Sequence, residues 1–167
     1  DAEIAAIVGP SGAGKSTLLK IISQITAPIE VLFVGCCALP ENERQELSRR
    51  APQHSIHWHV TKAGRAHQLN FGAQQAKGEF LWFLHADTRL TPDCFRALQS
   101  AIQWDPSAFY YFDLEFLSDG PALMILNAVG CRLRCRFFKI PFGDQGFCLR
   151  KSSFEALGGF DESAPFG

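Results

Sequence analysis

Gly9-Pro10-Ser11-Gly12-Ala13-Gly14-Lys15-Ser16 reads G-x-x-x-x-G-K-[ST]. That spacing lets successive backbone N–H groups and a helix N-terminus wrap a phosphate chain. Gly9, Gly12 and Gly14 keep the loop open, Lys15 would reach the terminal phosphates, and Ser16 followed by Thr17 would place a hydroxyl on magnesium. A second group suited to phosphate chemistry is Asp87, which follows the apolar run Phe80-Leu81-Trp82-Phe83-Leu84. A hard divalent cation wants oxygen ligands, and ligands of open α/β sheets gather where the strands end. Both features call for a fold that brings strand ends together.

The pattern of apolar residues supplies such a fold. Ile4 to Val8 is a short apolar run ending in glycine, and Thr17 to Ile22 repeats apolar residues at helical spacing, which predicts strand, loop and helix. Ile29 to Val34 is a second buried strand, Glu41 to Arg50 a helix with Leu47 inward, and Ile56 to Val60 a third strand. Ala66 to Lys77 forms a further helix, stopped by Gly78 through its access to the left-handed conformation. Phe80 to Leu84 is the central strand, because an unbroken apolar run suits a strand buried on both faces. Thr91 caps the next helix, with Pro92 at its first position and its end near Ile102, and Phe109 to Phe116 is a last strand. The alternation predicts an α/β domain with a mostly parallel central sheet covered on both faces.

The chain has 167 residues, which suits one domain with its own core. Lys and Arg number 16 against 17 Asp and Glu, so no excess positive charge is available to hold nucleic acid. The six cysteines, Cys36, Cys37, Cys94, Cys131, Cys135 and Cys148, form no C-x-x-C pair and no zinc-finger spacing with histidine, and are expected as reduced thiols of a cytoplasmic protein. No basic segment followed by an apolar signal core opens the chain. Pro121 to Val129 is too short to cross a bilayer and runs into Arg132, Arg134, Arg136 and Lys139. It reads as a partly buried helix with a basic end, and peripheral contact with a membrane is the other reading.

Two resemblances add to this. Ile4 to Pro28 resembles the opening of an ATP-binding-cassette ATPase, without the signature helix or the Asp-Glu pair that complete that family's site. From Ile29 to Gly167 the chain resembles the family 2 glycosyltransferases of the GT-A type, and is closest to the arsenosugar-biosynthesis-type subgroup. The first block of this likeness is Gly64-Arg65-Ala66-His67-Gln68-Leu69-Asn70-Phe71-Gly72-Ala73 with Phe83-Leu84-His85-Ala86-Asp87-Thr88. The second is Pro141-Phe142-Gly143-Asp144-Gln145-Gly146 with Leu157-Gly158-Gly159-Phe160-Asp161. The resemblance implies a single Rossmann-like domain of GT-A type, in which residues 1–28 form a P-loop-like strand-loop-helix and 29–167 the glycosyltransferase-like part. It implies transfer of a sugar from a UDP- or GDP-sugar to an acceptor it does not name, with Mg²⁺ or Mn²⁺ on Asp87 and His85. Arg65 and Asn70 would contact the nucleotide or its phosphates, Asp144 and Gln145 the donor sugar or acceptor, and Gly158-Gly159-Phe160 a turn near the site.

The chain departs from the family in places. Val31 to Val34 leads into Gly35-Cys36-Cys37 where an aspartate for base or ribose is usual, and His85-Ala86-Asp87 offers a single carboxylate. The family's general base follows the Gly-Gly-Phe turn, beyond Gly167, so the domain is expected to be C-terminally truncated and to bind donor without transferring sugar. The alternative expectation is a P-loop ATP- or GTP-binding protein, an ATPase or phosphotransferase using Lys15, Ser16 and Asp87.

Overall fold

The computed structural model describes residues 3–9, 25, 27–85, 88, 90–91, 93–113, 137 and 145–164. Its elements are β1 (Ile4–Val8), β2 (Glu30–Gly35), α1 (Glu41–Arg50), β3 (Ser55–Val60), α2 (Arg65–Gln75), β4 (Phe80–Leu84), α3 (Cys94–Trp104), β5 (Cys148–Arg150) and α4 (Lys151–Ala156). They build one five-stranded sheet in the order β3-β2-β1-β4-β5. The β1–β2, β1–β4 and β2–β3 pairs are parallel, and β5 runs antiparallel to β4.

Side chains alternate across the sheet, so each strand feeds two cores. Ile4, Ala6, Val8, Val31, Phe33, Phe80, Trp82 and Leu84 face one side, where Leu47 of α1 and Phe95, Leu98 and Ile102 of α3 cover them. Ala5, Ile7, Leu32, Val34, Leu81 and Phe83 face the other, under Leu69 and Ala73 of α2 and Phe154 of α4. Every residue of β1 and β4 is buried, which explains why these strands carry no polar side chain. Within α1 only Leu47 is buried, and its burial contributes about 1.5–3 kcal/mol. Glu41 and Glu43 in the first turn of α1 and Arg49 and Arg50 in its last complement the helix dipole.

The helix α2 lies unusually close to the sheet. A Cβ on Gly72 would stand 2.6 Å from Ile7 Cγ2 and 3.1 Å from Val34 Cγ2, so glycine is the residue that lets this helix seat on β1 and β2. Beyond its end, Lys151 Nζ donates to the Ala76 carbonyl at 2.6 Å, satisfying an acceptor that the helix leaves open. At the amino ends of the strands, Glu30 Oε2 accepts from the N–H groups of Lys77 at 2.7 Å and Gly78 at 3.3 Å, closing the α2–β4 connection.

Three sequence expectations are corrected. Gly78 does not stop the helix, which ends at Gln75 with Ala76 as its extended C-cap, and it is absent from the glycines with positive φ. Its requirement is closeness, since a Cβ there would stand 2.7 Å from the Ala5 backbone nitrogen. The helix expected from Thr91 starts at Cys94, and its N-cap is Asp93 with no side-chain cap hydrogen bond. The Thr91 hydroxyl lies instead 3.1 Å from Cys94 Sγ. The strand expected over residues 109–116 is, among the described residues, an isolated antiparallel bridge between Tyr110 and Cys148. The antiparallel edge is supplied by β5, a three-residue strand that apolar periodicity is too short to reveal. The helices expected at 17–22 and 121–129 lie outside the described residues.

Candidate functional site

Because β3, β2, β1 and β4 run parallel, their carboxyl ends share one edge of the sheet. Backbone hydrogen bonds hold these exits in register: Gly9 N–H donates to the Leu84 carbonyl at 3.2 Å, and Thr61 N–H to the Gly35 carbonyl at 2.9 Å. Past β4, the Thr88 N–H donates to the His85 carbonyl at 3.0 Å. Gly64, with φ +133°, turns the chain into α2, so Arg65 opens that helix and its positive dipole end faces the same edge. Gln68 is buried, and in the amide orientation that satisfies both neighbours it donates to the Gly64 carbonyl at 3.2 Å and accepts from the Cys36 N–H at 3.0 Å. The exit of β2 is thereby tied to the start of α2.

Of the residues singled out in the sequence, the structure brings Gly9, Arg65 and His85 to this edge. Gly12, Gly14, Lys15, Ser16, Thr17, Asp87 and Asp144 lie outside the described residues. Gln145 is buried at 2% exposure; its Nε2 donates to the Phe112 carbonyl at 2.9 Å, and its own backbone carbonyl accepts the Phe112 N–H at 2.8 Å. Asn70 likewise has its amide engaged. Its Nδ2 donates to the Phe160 carbonyl at 2.9 Å and to Glu162 Oε1 at 3.0 Å, while its Oδ1 accepts the Phe160 N–H at 2.9 Å.

Sequence reasoning missed the partner of that amide. Glu162 also reaches His67, whose Nδ1 stands 3.0 Å from Glu162 Oε2 and whose Nε2 stands 3.0 Å from Thr61 Oγ1, just past β3. A carboxylate only accepts, so Nδ1 carries a proton, and a neutral ring then accepts the Thr61 hydroxyl at Nε2. The Asn70 amide and then the His67 ring hold the Glu162 carboxyl below the usual glutamate range. A carboxyl depressed in the folded state stabilises it above the unfolded value and loses that contribution as pH falls through the folded value. Protection of the Phe160 N–H against hydrogen exchange is therefore expected to hold across neutral pH. It should drop only below the ordinary glutamate range, and a drop beginning near neutrality would contradict the assignment to Glu162.

The residues at the exit of β4 decide whether a divalent cation fits there. Among the described residues no group of three His, Cys, Asp or Glu side chains could hold a metal. His85 offers a nitrogen, which hard cations take less readily than oxygen. The described residues alone do not fit a magnesium or manganese site, and the oxygen donor expected from the sequence, Asp87, lies outside them. A cavity of about 330 Å³ lies at the opposite, amino-terminal edge, lined by Ile4, Ile29, Glu30, Ser55, His57 and Gly78 among others. No helix among the described residues is long and apolar enough to cross a membrane.

Residues 15–158 match the family described as glycosyl transferase family 2. The mannosyltransferase PcManGT from Pyrobaculum calidifontis, solved in complex with GDP-Man and Mn²⁺, superposes with a TM-score of 0.72 at 20% identity over 99% of this chain and 49% of that one. TarS 1-349 of S. aureus in complex with UDP-GlcNAc gives 0.71 at 16% identity over 98% of this chain and 50% of that one. This chain thus spans about half the length of those solved structures. Shorter matches join it to ATP-binding proteins. It is 42% identical over 53 residues to the ABC transporter G family member 8 of Arabidopsis thaliana, covering 31% of this chain and 9% of that protein. It is 53% identical over 51 residues to the lipoprotein-releasing system ATP-binding protein LolD of Paramagnetospirillum magneticum, covering 28% of this chain and 23% of that one.

Proposed function

The chain belongs to glycosyl transferase family 2, and from that premise we propose that it binds a nucleoside-diphosphate sugar, UDP- or GDP-linked, for transfer of the sugar to an acceptor. The observation that carries this reading is the convergence of four parallel strand exits and the start of α2 on one edge. There, the positive end of the α2 dipole favours a diphosphate, and the Arg65 guanidinium would pair with it. Asp87, with His85 beside it in sequence, would hold Mg²⁺ or Mn²⁺, which when bound offsets the negative charge that builds on a leaving diphosphate. Asp144 would hold sugar hydroxyls through paired hydrogen bonds. Glu162 is a poor proton acceptor here, since two donors hold it ionised and a general base works best with a pKa near the working pH.

A second reading is favoured by the short matches to ATP-binding proteins and by the Gly9–Ser16 motif. In it, Lys15 and Ser16 hold the phosphates of ATP or GTP, and β1 is the strand that feeds a phosphate loop. The two readings make opposite forecasts for nucleotide-induced thermal shifts. Under sugar transfer, Asp144→Ala should lower the shift produced by a UDP- or GDP-sugar while Lys15→Ala leaves it near wild type. Under the P-loop reading, Lys15→Ala should remove an ATP shift and Asp144→Ala leave it intact. Release of free UDP or GDP from its sugar conjugate by the protein, measured alongside, tests the transfer step itself.

A further inference from the structure

Residues 158–163 form a turn whose backbone is held by one side chain 90 residues away in sequence. Gly158 and Gly159 have φ of +82° and +79°, a conformation that L side chains rarely adopt. At Gly159 there is a further demand, because a Cβ would stand 2.8 Å from Asn70 Oδ1. The amide of Asn70 thus meets the peptide groups of Phe160 from both sides, accepting from its N–H and donating to its carbonyl, as a neighbouring strand would. The Phe160 ring packs edge-on against Phe83 of β4, with centroids 5.0 Å apart, and against Phe154 at 5.3 Å.

The turn therefore spans the carboxyl edge. Through Phe160 it touches Phe83, one residue before β4 ends, and through Glu162 and His67 it reaches Thr61, just past the end of β3. We propose that Asn70 is a positioning residue for this edge: its amide clasps the Phe160 backbone and fixes the turn that bridges the exits of β3 and β4, so that a nucleotide sugar meets a preformed wall. This role rests on the reading of that edge as the donor site. It gives Asn70 a task other than touching the donor, because both ends of its amide are already spent on the turn.

The chemistry of the clasp allows a rescue. Asn70→Asp keeps an acceptor for the Phe160 N–H but loses the donor to the Phe160 carbonyl and sets two carboxylates against each other at Glu162. Adding Glu162→Gln restores a donor between the two side chains. Binding of UDP- and GDP-sugars with Mn²⁺ would be measured by calorimetry at a temperature where every variant is fully folded, beside Leu98→Ala, a core change on the opposite face that lowers stability alone.

Asn70→Ala and Asn70→Asp are expected to weaken binding about tenfold as the turn loses its fixed position, with Glu162→Gln recovering part of it when combined with Asn70→Asp by removing the facing charge, and Leu98→Ala changing nothing. Wild-type affinity in Asn70→Ala would overturn the proposal by making the clasp merely structural. No recovery at all with Glu162→Gln would overturn it in favour of direct contact with the donor. Absence of binding in the wild-type protein would instead overturn the donor-site reading, and this proposal with it.

Discussion

Asp87→Ala is expected to abolish the Mn²⁺-dependent stabilisation of the protein by UDP or GDP. A ligand present at about 100 times its Kd stabilises the fold by roughly 2.7 kcal/mol, and the variant should gain none of it. Every residue of β4 is buried and its neighbours are β1 and β5, so the chain leaves the sheet interior at Leu84. The first carboxylate after that exit in sequence is Asp87. Carboxylate oxygen suits a hard cation in a way the neighbouring His85 nitrogen does not. Loss of a direct ligand should weaken metal-dependent nucleotide binding on the order of 1,000-fold or more, beyond the roughly 10–100-fold that loss of a supporting partner costs. Asp93→Ala is the control, since that carboxylate is exposed and pairs with Arg96 on the surface. An undiminished Mn²⁺-dependent shift in Asp87→Ala would remove this residue from the site.

Gly78→Ala should produce the largest loss of stability. The added methyl would stand 2.7 Å from the Ala5 nitrogen, 2.9 Å from the Ala5 Cβ and 3.0 Å from the Glu3 carbonyl oxygen. All of these belong to the entry and first residues of β1, which is paired on both sides and has no freedom to withdraw. Overpacking against backbone of this kind costs about 3 kcal/mol, which corresponds to a fall in Tm on the order of 10 °C for a domain of this size. Gly158→Ala is the informative contrast: φ there is +82°, but nothing lies within 4 Å of the added carbon. It should cost only the conformational penalty of about 1–2 kcal/mol. Calorimetric melting of the two variants checks the ranking, and a Gly78→Ala protein melting with the wild type would show that β1 does not pack as described.

That glycine illustrates what a sequence makes legible. Its place shortly after a helical stretch was readable, but its reason was not, because closeness to Ala5 depends on a strand more than 70 positions earlier. The strands β1 and β4 were readable to the residue, since burial on both faces leaves an unbroken apolar run. The helix α1 was equally plain, with acidic and basic ends around a single inward leucine. By contrast, the aromatic stretch from Phe109 looked like a strand through its side chains, yet among the described residues it forms a single bridge at Tyr110. Propensity there describes a half-buried surface, and the partner needed to make a ladder is set by tertiary packing.

The candidate site divides in the same way. The exits of the parallel strands could be anticipated from the alternation of strand and helix, and Arg65 and His85 fall where that order puts them. Asn70 and Gln145 stood out only through the family resemblance, and their amides turn out to be engaged with the backbones of Phe160 and Phe112. No local pattern announces such pairings, because each joins residues 33 or 90 positions apart. The pairings of Glu162 were hidden for the same reason: its partners, His67 and Asn70, sit on a helix that precedes it by more than 90 residues.

Under the sugar-transfer reading the carboxyl edge of the sheet, and not the cavity at its other edge, receives a nucleoside diphosphate with a divalent ion. Paramagnetic broadening of amide signals by Mn²⁺, recorded with and without UDP or GDP, tests this most directly, because a bound manganese ion erases only the resonances near it. The expected result is nucleotide-dependent loss of the signals of Gly9, Gly35, Thr61, Arg65 and His85, with Ile4, Glu30, Ser55 and Gly78 preserved. Broadening centred on Glu30 and Ser55, or none that depends on nucleotide, would contradict it.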